Sequence, residues 1–257
     1  MLACANLSLG YPGKALCLDL KWGMRPGECW ALLGQNGSGK TTLLHTLGGL
    51  RTPLAGVVTL DGKALYDYPR RDLARRVGVL LQHEDYGFWG SVTDYVLLGR
   101  HPHRRSPFGW SEEDRHIAEE ALAQVDMSWL AGRPLDTLSG GERQRARLAL
   151  LLTQQTGICL LDEPLQYLDV RHQVQTLELL RGLTDAGKAV MLSLHDVSWA
   201  ARYCSHALLL HDDGTAESGK SEEVLTRARL EHLYRCAFEE VGGGVLLPRP
   251  ADWRGSV

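Results

Sequence analysis

Residues 29–41 read CWALLGQNGSGKT, and this stretch decides the fold. Cys29 to Leu33 is a short apolar run and predicts a buried strand, while Thr41 to Leu50 predicts a helix. Between them Gly34, Gly39, Lys40 and Thr41 fit the pattern GxxxxGK[ST]. Glycines let a backbone fold so tightly that several N–H groups point at one phosphate, and the helix after the loop adds its positive end. On this reading Lys40 reaches the β- and γ-phosphates of a nucleotide, and the Thr41 hydroxyl holds Mg2+. Gln35, Asn36, Gly37, Ser38 and Thr42 complete the cradle.

A second run of the same kind lies far downstream. Ile158 to Leu161 is apolar and is followed by Asp162, Glu163 and Pro164. Two acids at a strand end are ordinarily a solvated turn. Beside a phosphate loop, a buried strand instead delivers Asp162 to the metal and leaves Glu163 to polarise a water. Further strands are expected at Val57 to Leu60, Val77 to Leu81, Ala189 to Leu194 and Ala207 to Leu210. Helical patterns cover Val92 to Gly99, Ser111 to Asp126, Gly140 to Gln155 and Leu168 to Ala186. Strands alternating with helices imply a mostly parallel sheet with helices on both faces, an α/β fold.

Length and charge narrow the partners. The chain has 257 residues and carries a net charge of −3, so nothing suggests a polyanion-binding surface, and no nucleic-acid partner is expected. The arginine pairs 70–71, 75–76 and 104–105 read as solvated faces. Six cysteines lack CxxC spacing and read as reduced and structural, as in a cytosolic protein. Neither a secretory signal nor an apolar run of membrane-spanning length is visible, so any membrane role must come through a partner.

The order GQNGSGKT, Gln82, LSGGE (Leu138 to Glu142), LLDEP (Leu160 to Pro164) and His195 resembles the nucleotide-binding subunit of ATP-binding cassette (ABC) transporters, over roughly Leu7 to Val241. The resemblance implies a P-loop NTPase with an antiparallel β subdomain and an inserted helical subdomain. Residues 1–90 and 156–246 would form the core, 91–155 the helical part carrying LSGGE, and 247–257 a short tail. It implies ATP and Mg2+ as cofactors. Tyr11 would stack on adenine, and Gln82 would sense Mg2+ and the attacking water. Glu163 would be the general base, with His195 and Lys40 facing the γ-phosphate. Ser139, Gly140 and Gly141 would cap the nucleotide of a second copy, and Asp169 would cross that interface. Ahead of Leu168–Asp169 the family commonly has small residues, whereas this chain has Leu165, Gln166 and Tyr167.

The tract Gly99-Arg100-His101-Pro102 resembles the Gly-Arg-x-Pro tract of cassettes that power import of iron–siderophore, haem or cobalamin, and it also reads as a helix end stopped by Pro102. The implied partners are a polytopic permease docking near Gln82 and the helical insertion, and indirectly a periplasmic binding protein. The implied site is the cytoplasmic face of a bacterial inner membrane. Tyr86, Phe88 and Trp89 are candidate permease anchors or, alternatively, core. Another ABC importer or an exporter remains open. A soluble non-transport cassette protein is disfavoured by the single cassette and the lack of a coiled-coil insertion. A GTPase-like switch is disfavoured by the lack of an Asn-Lys-x-Asp string.

Overall fold

The structure, a computed structural model, describes residues 1–11, 14–82, 87–104, 109–242 and 245–249. Strands β1 (Leu2–Tyr11) and β2 (Lys14–Met24) run antiparallel and lead to β3 (Cys29–Gly34) and helix α1 (Lys40–Leu47). β4 (Ala55–Leu60) and β5 (Lys63–Ala64) form a hairpin across Asp61–Gly62, and α2 (Arg70–Ala74) leads to β6 (Val77–Leu80). Then come α3 (Val92–Leu97), a 3-10 turn over Leu98–His103, α4 (Glu112–Gln124) and α5 (Gly140–Thr153). β7 (Ile158–Leu161), α6 (Val170–Asp185), β8 (Ala189–Ser193), α7 (Val197–Tyr203) and β9 (His206–Leu210) return to the core. The chain closes with β10 (Ala216–Lys220), α8 (Ser221–Val224), α9 (Arg227–Tyr234), β11 (Phe238–Val241) and β12 (Val245–Pro248).

The central sheet has the order β10-β9-β3-β8-β7-β6, parallel except for β10. Its parallel strands are mostly apolar runs because both faces are covered, whereas the antiparallel edge strand β10 is AESGK and only partly buried. Along β3, Trp30 and Leu32 join one core while Ala31 and Leu33 join the other. The first core lies against the antiparallel sheet β2-β1-β4-β5 and α1. The second lies under α3, α4, α5 and α6.

Several boundaries differ from the sequence reading. α1 stops at Leu47, three residues early, because Gly48 and Gly49 come next and Gly49 takes φ 71°. α6 starts at Val170 because Asp169 is its N-cap: Oδ1 accepts from the His172 N–H at 2.9 Å. β12 runs to Pro248 and pairs Leu247 with Glu239, so residues 247 and 248 are strand rather than tail. α3 ends at Leu97, and the 3-10 turn carries Pro102.

Packing accounts for the Gly-Arg-His-Pro tract. A Cβ at Gly99 would lie 2.0 Å from Thr153 Oγ1 and 2.3 Å from the Leu150 carbonyl, so only glycine lets the turn cross α5. Arg100 is buried and pairs with Asp114 at 2.8 Å; it also donates to the Thr153 carbonyl and to Gln155 Oε1, both at 2.9 Å. Arg71 and Arg75 both donate to the Pro102 carbonyl at 2.8 Å. Two arginines expected to be merely solvated therefore tie α2 to the helical region.

Candidate nucleotide-binding site

The C-terminal ends of β3, β8, β7 and β6 open into one cleft of about 600 Å3. Ligands of open α/β sheets bind at such carboxyl ends. Because these strands are neighbours, residues distant in sequence converge there. β3 supplies the glycine loop, β7 supplies Asp162 and Glu163, β8 supplies His195, and β6 supplies Gln82. Tyr11, Asn36, Gly37, Gly39, Lys40, Thr41, Thr42, Gln82, Glu163 and His195 all line the cleft.

The loop holds its shape through two glycines in the left-handed region, Gly37 at φ 82° and Gly39 at φ 103°. Gly39 is also the N-cap of α1, and the first turn of α1 carries no acidic side chain. An ordinary helix start recruits acids; this one leaves its positive end for an anion. Lys40 is buried and its Nζ donates to the carbonyls of Gly34 (2.7 Å) and Gln35 (3.0 Å). Burial pushes its ammonium down from the ordinary value, opposed by the charges of Glu163 and Asp162. Gln35 donates from Nε2 to the Leu233 carbonyl of α9 at 2.8 Å and does not line the cleft.

The acidic pair is fixed by a residue that sequence reasoning missed. Ser193, fully buried at the end of β8, donates from Oγ to Asp162 Oδ1 at 2.7 Å. The same Oγ accepts from the Glu163 N–H at 2.7 Å. Glu163 sits at φ 48°, a conformation L-residues seldom adopt, and its Oε1 lies 3.0 Å from His195 Nε2. Gln144 on α5 donates to the Glu163 and Pro164 carbonyls at 3.3 and 3.0 Å. A serine inside an apolar strand and a glutamine inside a helix give no signal in sequence; neither breaks the local periodicity.

The donor set suits a triphosphate and a hard cation. Among the described residues, Asp162 Oδ2 and Ser38 Oγ are buried without a hydrogen-bond partner. A buried carboxylate oxygen left unpaired at a phosphate loop is a ready ligand for Mg2+. Thr41 lies in the first turn of the helix beside it, and Gln82 lines the same cleft.

Tyr11 stands at the rim, 49% exposed, with the Arg51 guanidinium 4.1 Å from its ring centroid. Hydrogen bonding to Thr42, and secondarily to Arg51, lowers its phenol pKa. Phe88 packs on the core edge-on to Tyr95 at 5.6 Å, so it is not a free anchor. Trp89 is 91% exposed. Tyr86 lies outside the described residues. The described cysteines are free thiols, and burial raises that of Cys4 to about 12.

Ser139, Gly140, Gly141 and Asp169 do not line the cleft. Ser139 is the exposed N-cap of α5 in a capping box with Glu142. Tyr167 packs against this turn: a Cβ on Gly140 would sit 3.4 Å from Tyr167 Cγ, and one on Gly141 2.9 Å from the Tyr167 carbonyl oxygen.

A sequence profile described as ABC transporter matches residues 17–166. The chain belongs to the ABC transporter family. It is 39% identical over 234 residues to the ferric enterobactin transport ATP-binding protein FepC of Escherichia coli (strain K12), covering 90% of this chain and 86% of that protein. It is 42% identical over 239 residues to the hemin import ATP-binding protein HmuV of Pseudomonas entomophila (strain L48), covering 91% of this chain and 92% of that one. A solved dimeric ATP-binding cassette in a post-hydrolysis state, bound to ADP and Pi, superposes on this ABC protein with TM-score 0.77 at 25% identity, over 86% of this chain and 99% of that one.

Proposed function

We propose that this chain is the ATP-hydrolysing subunit of a bacterial ABC importer that powers uptake of a metal chelate through a separate permease. One observation carries the reading. Lys40, Gln82, Glu163 and His195 line one cleft, while the serine–glycine turn at Ser139 to Gly141 takes no part in its wall. Such a site is complete only when a second copy supplies the missing wall.

In that arrangement the loop amides and Lys40 bind the phosphates, and Tyr11 offers its ring to adenine. Mg2+, held by Thr41, Asp162 and Gln82, would neutralise charge between the β- and γ-phosphates. Glu163 accepts a proton from the attacking water, and His195, hydrogen-bonded to it, faces the γ-phosphate. Ser139, Gly140 and Gly141 of one copy grip the γ-phosphate held by the other, and Asp169 lies at the seam. Loss of the γ-phosphate removes what the turn binds, so hydrolysis opens the pair. Residues 91–155 act as the helical subdomain that relays this motion.

Among the described residues no helix is long and apolar enough to cross a membrane, so attachment to the inner membrane's cytoplasmic face goes through the permease. Exposed Trp89, close in sequence to Gln82, is the anchor for it. Two relatives of similar identity carry different cargo names, ferric enterobactin and hemin. Both are metal chelates, which supports that class while leaving the individual chelate to the permease and its binding protein.

The test is Glu163→Gln. The variant is expected to bind ATP, to lose turnover, and to elute as a dimer in gel filtration with ATP. A variant that stays monomeric at high protein concentration, or that still turns over, overturns the reading.

A further inference from the structure

Away from the cleft, three elements bring together side chains that the ATPase reading does not use. His211 comes directly after β9, Glu217 lies in β10, and His232 lies in α9. One ligand atom from each falls within 4.8 Å of the others. We propose that His211, Glu217 and His232 form a binding site for one divalent first-row transition-metal ion of the zinc–iron class.

The frame is rigid. The His211 N–H donates to the Thr215 carbonyl at 3.0 Å, and Asp213 Oδ1 accepts from the Thr215 N–H and Oγ1 at 2.9 and 2.6 Å. That turn is pinned in place by the Leu18 N–H on the Gly214 carbonyl at 3.0 Å. His211 is 4% exposed, with Nε2 3.0 Å from Glu217 Oε1. A buried histidine paired with a glutamate across a hairpin would by itself be an ordinary satisfied polar pair. It does not explain the second imidazole, which arrives from α9 with its ring centroid 4.9 Å from that of His211.

The ligand chemistry selects the ion. Two imidazoles and one carboxylate suit zinc or ferrous iron, whereas magnesium and calcium prefer all-oxygen sets. Arg229 Nε holds Glu217 Oε2 at 2.7 Å, which orients the carboxylate and leaves Oε1 facing the imidazoles. Three protein ligands leave a fourth position for water. His232 is exposed, so its side chain has room to draw in to bonding distance.

The site adjoins the phosphate loop. The residue after His232 is Leu233, whose carbonyl takes the hydrogen bond from Gln35. A metal tie at His232 therefore fastens the helix end that the loop is bonded to.

The full chain, freed of nucleotide and metal and kept reduced, is titrated with Co2+ as the spectroscopic probe, then with Zn2+ as competitor. The expected result is a visible ligand-field band without thiolate charge transfer, saturating at one ion per chain and displaced by Zn2+. His232→Ala, at an exposed position, should weaken Co2+ by more than about ten-fold, the loss that removing even an outer partner of a metal site produces. Zn2+ should raise the melting temperature of the parent chain and not of this variant. Absence of the band, equal affinity in His232→Ala, thiolate charge transfer, or displacement by millimolar Mg2+ would each overturn the proposal. The last two outcomes would place the ion on cysteines or in the phosphate cleft.

Discussion

Replacing Ser193 by alanine removes one oxygen atom from the interior and breaks two contacts at once. Oγ donates to Asp162 and accepts from the Glu163 N–H, both at 2.7 Å, and the residue is fully buried. A hydrogen bond to a charged group contributes about 1.5–3 kcal/mol, and an orphaned buried N–H costs about 1–3 kcal/mol. The two are not additive, because Asp162 and Glu163 are adjacent and relax together. A loss of at least about 2 kcal/mol remains, which in a domain of this size lowers the melting temperature by about 4–8 °C. The functional consequence is sharper. Asp162 would meet Mg2+ through Oδ2 while Ser193 fixes Oδ1. Losing such an outer partner typically costs about 10–100-fold in metal affinity. The assay is ATPase rate against Mg2+ concentration at fixed ATP, in the assembled transporter and well below both melting temperatures. Half-saturation should shift to higher Mg2+ by that factor. A destabilised variant with an unchanged Mg2+ curve would refute the reasoning, because it would make Ser193 a packing residue only.

Three other substitutions test separate parts. Lys40→Ala should abolish tight ATP binding in a fluorescent-nucleotide titration; equal affinity would remove Lys40 from the phosphate site. Tyr11→Ala should weaken ATP more than inorganic triphosphate, and an equal loss for both would reject stacking on adenine. Asp114→Asn removes the countercharge of buried Arg100 and leaves it only neutral acceptors, among them the Thr153 carbonyl and Gln155, and should cost up to about 3–5 kcal/mol in urea unfolding. The pH dependence has a definite sign. Burial opposes ionisation of Asp114, but hydrogen bonds from Arg100 and Ser111 outweigh it and hold its pKa below the ordinary value. The parent chain therefore keeps this contribution at neutral pH and loses it as pH falls through that depressed pKa. The variant should lack this loss in acid.

Sequence was most legible where a strand is buried on both faces. β3 and β7 are short apolar runs with chemistry at their carboxyl ends, so Lys40, Asp162 and Glu163 could be placed from the sequence alone. β1 and β2 were harder. Their pairing carries register shifts between Cys4 and Leu7 and again near Leu9, and Asn6 and Asp19 take φ 50°. Bulges of that kind break the period-two alternation by which strands are recognised. Sequence also located the Gly-Arg-His-Pro tract without its cause, since the contact that demands glycine comes from Thr153 on another helix. Ser193 and Gln144 were invisible for the same reason: their roles lie in partners brought by neighbouring strands and helices.

Tyr167 is where the atypical sequence and the divided site meet. It sits at φ 65°, 62% exposed, between the acidic strand end and the N-cap of α6. Its ring and carbonyl lie so close to Gly140 and Gly141 that a side chain at Gly141 would collide with backbone. The segment after Glu163 is thereby packed directly on the serine–glycine turn of the same copy. In the proposed ATP-bridged pair that turn would read the nucleotide of the other copy. A shift at Glu163 on hydrolysis in one such site would then have a short, packed route to the wall of the second: Glu163, the 164–166 turn, Tyr167, Gly140. The approach to Gly141 is made by the Tyr167 backbone carbonyl and would survive a smaller side chain, whereas the approach to Gly140 is made by the tyrosine side chain itself. On the proposed reading, the departure from the family's usual small residues would therefore place an aromatic ring against the turn that joins the two sites.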